Sequence, residues 1–184
     1  MAPGQARGDW QRFDMRLPLL HLTAIATLAL DQASKFAVVW GLDLATKGEL
    51  DVLPPYLVFR MLWNRGINFG LFAAESELAR WLLILVALAI SAAVLLWVRR
   101  SPNSPWLQVS AGLVIGGAIG NVIDRIAYGA VADFLNMSCC RIENPFSFNI
   151  ADVGVFLGMV GFFIFGSDTG TKPPPTLKPP RKTA

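Results

Sequence analysis

Apolar residues in this chain gather into four long runs, Leu17–Trp40, Leu78–Val98, Trp106–Ile123 and Phe146–Phe165, separated by polar stretches. A helix needs about 20 apolar residues to cross a bilayer, and lipid obliges a crossing segment to satisfy its own backbone hydrogen bonds. The four runs therefore predict four transmembrane helices. The first resembles a signal peptide only superficially: it exceeds the roughly 7–15 residues of an h-region, and no small-x-small cleavage site closes it.

The connections carry their own signals. Residues 41–77 form the longest one. Pro54-Pro55 breaks any helix, and Tyr56–Asn64 (YLVFRMLWN) is rich in strand formers, which predicts a short strand or hairpin. Asn64–Gly70 (NRGINFG) then supplies turn chemistry with glycines that let backbone approach closely. The whole segment reads as an outward amphipathic cap on the membrane surface. The second span is expected to start with Ser76 as N-cap and Glu77 in the first turn, and nothing from Trp81 to Trp97 is charged, so it is scaffold. In the third span Gly112, Gly116 and Gly120 recur every four residues, a stripe that admits a close neighbouring helix. Tyr128-Gly129 is expected to end it. The fourth span is expected to begin with Asn144 as cap and Pro145 at the first helical position, which would put Asp152 about 9 Å along the helix from Phe146.

The chain has 184 residues, 54% of them hydrophobic and 16% charged, too apolar for a soluble domain and too short for several domains. Its net charge of +3 comes from where basic residues sit: Arg7, Arg12 and Arg16 before the first span, Arg99 and Arg100 between the second and third, and Lys172, Lys178, Arg181 and Lys182 in a Pro-rich tail. With four spans these regions share one side, and basic loops favour the cytoplasm. Both termini are then cytoplasmic and the polar signatures lie outside. Basic residues that flank spans form no continuous face, which argues against nucleic-acid binding. Cys139 and Cys140 are adjacent and form neither a disulfide framework nor a CxxC metal spacing. They read as loop residues, with redox or partner contact as the alternative. His21, the one histidine, is read as structural, which removes an HExxH zinc site.

The chemistry concentrates between Gly116 and Asp152. Asn121, Asp124, Arg125, Asp133, Asn149 and Asp152 lie in or beside segments apolar enough to enter a bilayer, where an unpaired carboxylate is costly and an ionisable residue is functional by default. Asn121 and Asp124 share a helix face with Gly117, and Asn149 and Asp152 stand at i, i+3. Asp31 and Lys35 of the first span stand at i, i+4 in the favourable order, either as an ion pair fixing the helix or as a substrate contact. Two converging carboxylates can share one proton, so that one acts as base and the other as acid, activating water without metal or histidine. These residues alone leave open whether Asp124 or Asp133 partners Asp152. They also leave a proton or cation transporter and a structural polar network as rivals. Against transport stand the absence of an internal repeat and of a polar stripe through the full membrane thickness.

Five blocks occur in order: DQASK (Asp31, Lys35), NRGINFG (Asn64, Gly66, Phe69, Gly70), GNVIDR (Gly120, Asn121, Asp124, Arg125), VADF (Asp133, Phe134) and FNIADVG (Phe148, Asn149, Ala151, Asp152). Together they closely resemble the lipoprotein signal peptidases, or signal peptidase II, from the first span to the fourth. The resemblance implies an all-α membrane protein, a four-transmembrane-helix bundle with a small extracytoplasmic β element and a surface helix. The domain plan is then a cytoplasmic arm at 1–16, a membrane peptidase domain at 17–166 with its cap at 41–77, and a disordered cytoplasmic tail at 167–184. It implies an aspartyl endopeptidase (a hydrolase) of the bacterial inner membrane, active near the extracytoplasmic face. Such an enzyme cuts the signal peptide from diacylglyceryl-modified prolipoproteins just before the lipidated cysteine. By position, Asp133 and Asp152 are the catalytic dyad. Asn64, Asn121, Arg125 and Asn149 hold substrate or orient the dyad, and Asp124 gives support through Arg125. No metal or other cofactor is implied. The implied partners are membrane lipid, the prolipoproteins and the cyclic peptide inhibitors of the family, and not nucleic acid. Asn68 stands where the family often has alanine, which bears on substrate or inhibitor preference rather than on the reaction.

Overall fold

The computed structural model describes residues 17–54, 56–66, 77–100, 104–138 and 144–166. Both tails, Asn68, Ser76, Cys139 and Cys140 lie outside the described residues. The first helix, α1 (Pro18–Lys35), continues through a π-helical turn, Phe36–Gly41. A single-turn helix α2 (Leu44–Lys47) leads to strands β1 (Glu49–Leu53) and β2 (Leu57–Asn64), followed by α3 (Glu77–Arg100) and α4 (Pro105–Tyr128). Strand β3 (Val131–Asn136) and helix α5 (Ile150–Phe165) complete the order.

Pro18–Gly41, Glu77–Arg100 and Pro105–Tyr128 are each long and apolar enough to cross a membrane. The fourth apolar helix is shorter than its run predicts. It spans 16 residues, about 24 Å at 1.5 Å per residue, and begins at Ile150 instead of near Phe146. Two local contacts explain the late start. The Asn144 side chain accepts from the Phe146 N–H at 3.0 Å, closing an Asx-type turn rather than capping a helix. Phe148 is drawn into the sheet, exchanging backbone hydrogen bonds with Leu135 at 2.8 and 3.0 Å. The helix can start only after that, and Asn149 is its N-cap.

Helix α4 is the centre, packed against α1, α3 and α5. Its glycine stripe does what the spacing predicts on the α1 side. A Cβ at Gly116 would stand 2.5 Å from the Ala24 carbonyl oxygen, and one at Gly120 would stand 2.6 Å from Asp31 Oδ2. Ser104 and Pro105 start α4, with Ser104 Oγ accepting from the Leu107 N–H. Gly129 ends it in the left-handed conformation, φ 76°. Leu17, Leu20, Val98, Leu107 and Ala111 form the core where α1, α3 and α4 meet. Elsewhere the outward faces are apolar: Leu22, Ile25, Leu85, Phe156 and Phe163 are all exposed, with Phe163 at 88%. Exposed apolar surface on this scale suits lipid and not water.

The sheet is antiparallel in the order β1-β2-β3. The strand expected within Tyr56–Asn64 is β2, and VADF proves to be its partner β3, with Leu62 opposite Asp133 and Asn64 opposite Val131. One face packs Phe59 and Phe134, edge to face at 5.7 Å, over Val38, Val39 and Leu44. This cluster ties the sheet to the end of α1. Asp133 is thereby held beside the ends of α1 and α4.

Candidate active site

Five elements converge on a small polar cluster. Helix α1 brings Asp31, Gln32 and Lys35; the last turns of α4 bring Asn121, Asp124 and Arg125; β2 ends on Asn64; β3 carries Asp133; and the start of α5 carries Asn149 and Asp152.

Asn149 is the hinge of the geometry. As N-cap of α5 its Oδ1 accepts from the Asp152 N–H at 2.9 Å, and its own N–H donates to Asp152 Oδ2 at 3.3 Å, a reciprocal capping box. Its side-chain amide meanwhile donates to Asp133 Oδ1 at 2.6 Å and to Asn121 Oδ1 at 3.2 Å. One fully buried residue thus touches both acids. The outer oxygens are also engaged: Asn64 Nδ2 donates to Asp133 Oδ2 at 3.0 Å, and Asn121 Nδ2 donates to Asp152 Oδ1 at 2.9 Å. Asn64 is positioned by its own turn, accepting from the Gly66 N–H.

Asp133 is 1% exposed. Burial pushes its carboxyl up to about 7, and the nearby negative charge of Asp152 adds to the rise; the donors Asn64 and Asn149, and the Lys35 cation, pull the other way. Asp152 is half-buried in the first turn of α5.

Behind the two acids lies a buried ion-pair triad. Lys35 Nζ is 2.8 Å from Asp31 Oδ2 and 2.7 Å from Asp124 Oδ2, and it donates to Asn121 Oδ1 at 3.3 Å. Gln32 completes the cluster with bonds to Asp31 Oδ2 and Asp124 Oδ1. A cleft walled by Trp40, Trp63 and Tyr128 opens beside Lys35 and Asp124, and neither Asp133 nor Asp152 lines it. Among the described residues no three His, Cys, Asp or Glu side chains gather as metal ligands would.

A sequence profile of the family described as "Signal peptidase (SPase) II" matches residues 23–167, which include every site residue named above. The chain belongs to the signal peptidase II family. It is 44% identical over 146 residues to a lipoprotein signal peptidase of Methylorubrum extorquens (strain PA1), a match covering 78% of this chain and 82% of that protein. A lipoprotein signal peptidase of Methylobacterium sp. (strain 4-46) is 42% identical, over 82% of this chain and 90% of its own length. The fold is similar to a bacterial membrane enzyme solved by the in meso method at 2.3 Å resolution. That likeness has a TM-score of 0.64 and 25% identity, and covers 85% of this chain and 93% of the other.

As a signal peptidase II the chain brings Asp133, Asp152, Asn64, Asn121 and Asn149 into one hydrogen-bonded group. The Asp31–Lys35 pair forms as spaced. Asp124 takes a different partner from the one expected: Lys35, Gln32 and the Ala132 N–H hold its carboxylate, while Arg125 donates to the Asn121 carbonyl at 3.3 Å. The reason is helical direction, since Asp124 faces α1 and Arg125 turns toward the acids, acting on Asp133, Asp152 and Asp124 through space. Its buried Nε has no hydrogen-bond partner among the described residues. The sequence reading assigns Gln32 no role in the site. Its place inside DQASK, three residues before Lys35 on one helix face, was the available signal.

Proposed function

We propose that this signal peptidase II is an intramembrane aspartyl endopeptidase that removes the signal peptide from diacylglyceryl-modified prolipoproteins, cutting just before the lipidated cysteine. The observation that carries the reading is Asn149, which donates to Asp133 through its side chain and to Asp152 through its backbone. Two acids from separate pieces of chain are thereby held to one residue, which supports a shared-proton pair.

The pair titrates as a unit. Burial favours the proton on Asp133, which leaves Asp152, in the first turn of α5, the role of base. Asp152 takes a proton from a water whose oxygen attacks the scissile carbonyl carbon, and Asp133 hydrogen-bonds the carbonyl oxygen as it gains charge. Collapse of the tetrahedral intermediate breaks the C–N bond, and the proton held by Asp152 passes to the leaving nitrogen. Arg125, whose charge acts on both Asp133 and Asp152, holds substrate or orients the dyad. Acyl chains that remain in the bilayer align the peptide with the dyad. Cyclic peptide inhibitors of the family would compete for the same acids.

The site lies at the Tyr128 end of α4, and Arg99 and Arg100 end α3 beside the start of α4. Twenty-four residues of α4 separate the two levels, about 36 Å at 1.5 Å per residue. Because basic residues favour the cytoplasmic side, this separation supports a dyad at the extracytoplasmic face of the bacterial inner membrane, with both termini inside. The short α5 serves as the fourth span of the bundle.

The test is a gel shift. Purified protein should shorten a diacylated prolipoprotein and leave the unlipidated precursor intact, and Asp133→Asn and Asp152→Asn should each abolish cleavage while remaining folded. Full cleavage by either variant rejects the dyad.

A further inference from the structure

The buried triad behind the acids is wired to both of them. Asp31 uses one oxygen for Lys35 and offers the other, Oδ1, to the Ala151 N–H at 2.9 Å. Ala151 is the second residue of α5, so its N–H is one that the helix itself leaves unsatisfied. Asp124 Oδ2 accepts from the Ala132 N–H at 3.1 Å as well as from Lys35. Each of these two N–H groups belongs to the residue immediately before an acid, Ala151 before Asp152 and Ala132 before Asp133. Both alanines are buried, at 0% and 2% exposure, so neither peptide can turn to water for a replacement bond.

Asp31 and Asp124 are themselves 0% exposed. Two such carboxylates cannot stand side by side without a cation between them, and Lys35 lies within 2.8 Å of both. The same ammonium also fixes the Asn121 amide. With its oxygen facing Lys35 and Asn149, Asn121 has only its NH₂ left to give, and it gives it to Asp152.

We propose that Lys35 is a positioning residue for both members of the dyad: it locks Asp31 and Asp124 together, and through them the peptide N–H groups that precede Asp152 and Asp133. The proposal rests on the aspartyl reading above. It makes the ion pair of the first span part of the catalytic geometry rather than a fastening of helices alone.

The experiment uses full-length protein in membranes, with initial rates on a diacylated prolipoprotein. Lys35→Met should lower kcat about a hundredfold, the loss expected of a misplacement near 1 Å, with KM within about threefold of wild type because the lipid-held substrate is bound elsewhere. Lys35→Arg, which keeps the charge, should recover part of kcat. Wild-type kcat in Lys35→Met, or a rise in KM that accounts for the whole defect, overturns the proposal. Should Lys35→Met not accumulate, Asp31→Asn and Asp31→Leu decide. Asparagine keeps an oxygen for the Ala151 N–H and leucine does not, so kcat should fall further in the leucine variant. Equal kcat in the two overturns the proposal. Asp133→Asn and Asp152→Asn run alongside: full cleavage by either would defeat the dyad reading itself. Dead dyad variants beside a wild-type Lys35→Met would defeat only the positioning role.

Discussion

Asn149→Ser separates two jobs that one residue performs. Serine is as good an N-cap as asparagine, so the start of α5 and the bond to the Asp152 N–H should survive. What goes is the side-chain amide, and with it the 2.6 Å donation to Asp133 Oδ1. That donation favours the ionised form of Asp133, whose carboxyl stands at about 7. Removing it favours the protonated form, so the value rises. A hydrogen bond to a charged group contributes roughly 1.5–3 kcal/mol, and about 1.4 kcal/mol moves a pKa by one unit. Water entering the space left by the amide returns part of this, so the expected movement is about one pH unit upward. The other charges acting on Asp133, those of Asp152, Lys35 and Arg125, are unchanged by the substitution. In the proposed mechanism Asp133 must hold the proton, so wild-type kcat should fall as pH rises through about 7. The Asn149→Ser limb should fall about one unit later, on a lower plateau. The assay is kcat against pH for cleavage of a diacylated prolipoprotein in nanodiscs, with thermal unfolding as the control for the cap. A limb that stays in place, or moves to lower pH, would refute the assignment of the proton to Asp133.

Asn64→Ala removes the donor on the other Asp133 oxygen and should move the same limb upward, with no effect on α5; a downward shift argues against the scheme. Asp133→Asn should be inactive yet more stable than wild type above pH 7. The folded value of about 7 against the ordinary 3.8 means the fold disfavours the charge, a penalty absent below 3.8 and complete above 7. Thermal midpoints of the two proteins should therefore converge as pH falls toward 3.8, and a constant gap would contradict the linkage. Gly120→Ala would place a Cβ 2.6 Å from Asp31 Oδ2, costing about 1–3 kcal/mol as overpacking and loosening the hold on Ala151. Both a lower unfolding midpoint and a lower kcat are expected, and normal kcat would mean that Asp31 is not needed where it stands.

Much of this was legible because it is local. The crossing helices follow from unbroken apolar runs. The close approach of α1 to α4 follows from glycines at every fourth position, and the end of α4 from Tyr128-Gly129. Asp31 and Lys35 pair because four residues make one helical turn. What escaped is long-range. Asn144-Pro145 and Asn149 both carry helix-start chemistry within six residues, and the choice between them was made by Leu135, which draws Phe148 into the sheet. The Asp31 bond to Ala151 spans 120 residues of sequence, and no periodicity signals it. The ordered motifs link Asp124 to Arg125, its neighbour in sequence, and carry no information on where α1 lies. The true partner of Asp124 is Lys35, across the helix interface. The choice of Asp133 over Asp124 as partner of Asp152 came from the ordered motifs and not from the physics of the residues. The structure shows the physical difference between them: Asp124 is paired with a lysine within 2.7 Å, whereas among the described residues the side-chain hydrogen bonds to Asp133 come from neutral amides.

That difference also accounts for the charge of the whole cluster. Among the described residues four carboxylates, Asp31, Asp124, Asp133 and Asp152, meet two cations, Lys35 and Arg125. With every group ionised the site would hold two uncompensated negative charges at the edge of a low-dielectric membrane, which is costly. In the proposed mechanism one shared proton on the dyad reduces this to one, and that last charge is the carboxylate that would activate water. A single additional proton would silence the base, and its complete loss would remove the acid. The surroundings favour the proposed pair: Asp31 and Asp124 each lie within 2.8 Å of the Lys35 ammonium, whereas the side-chain donors to Asp133 and Asp152 are the neutral amides of Asn64, Asn149 and Asn121.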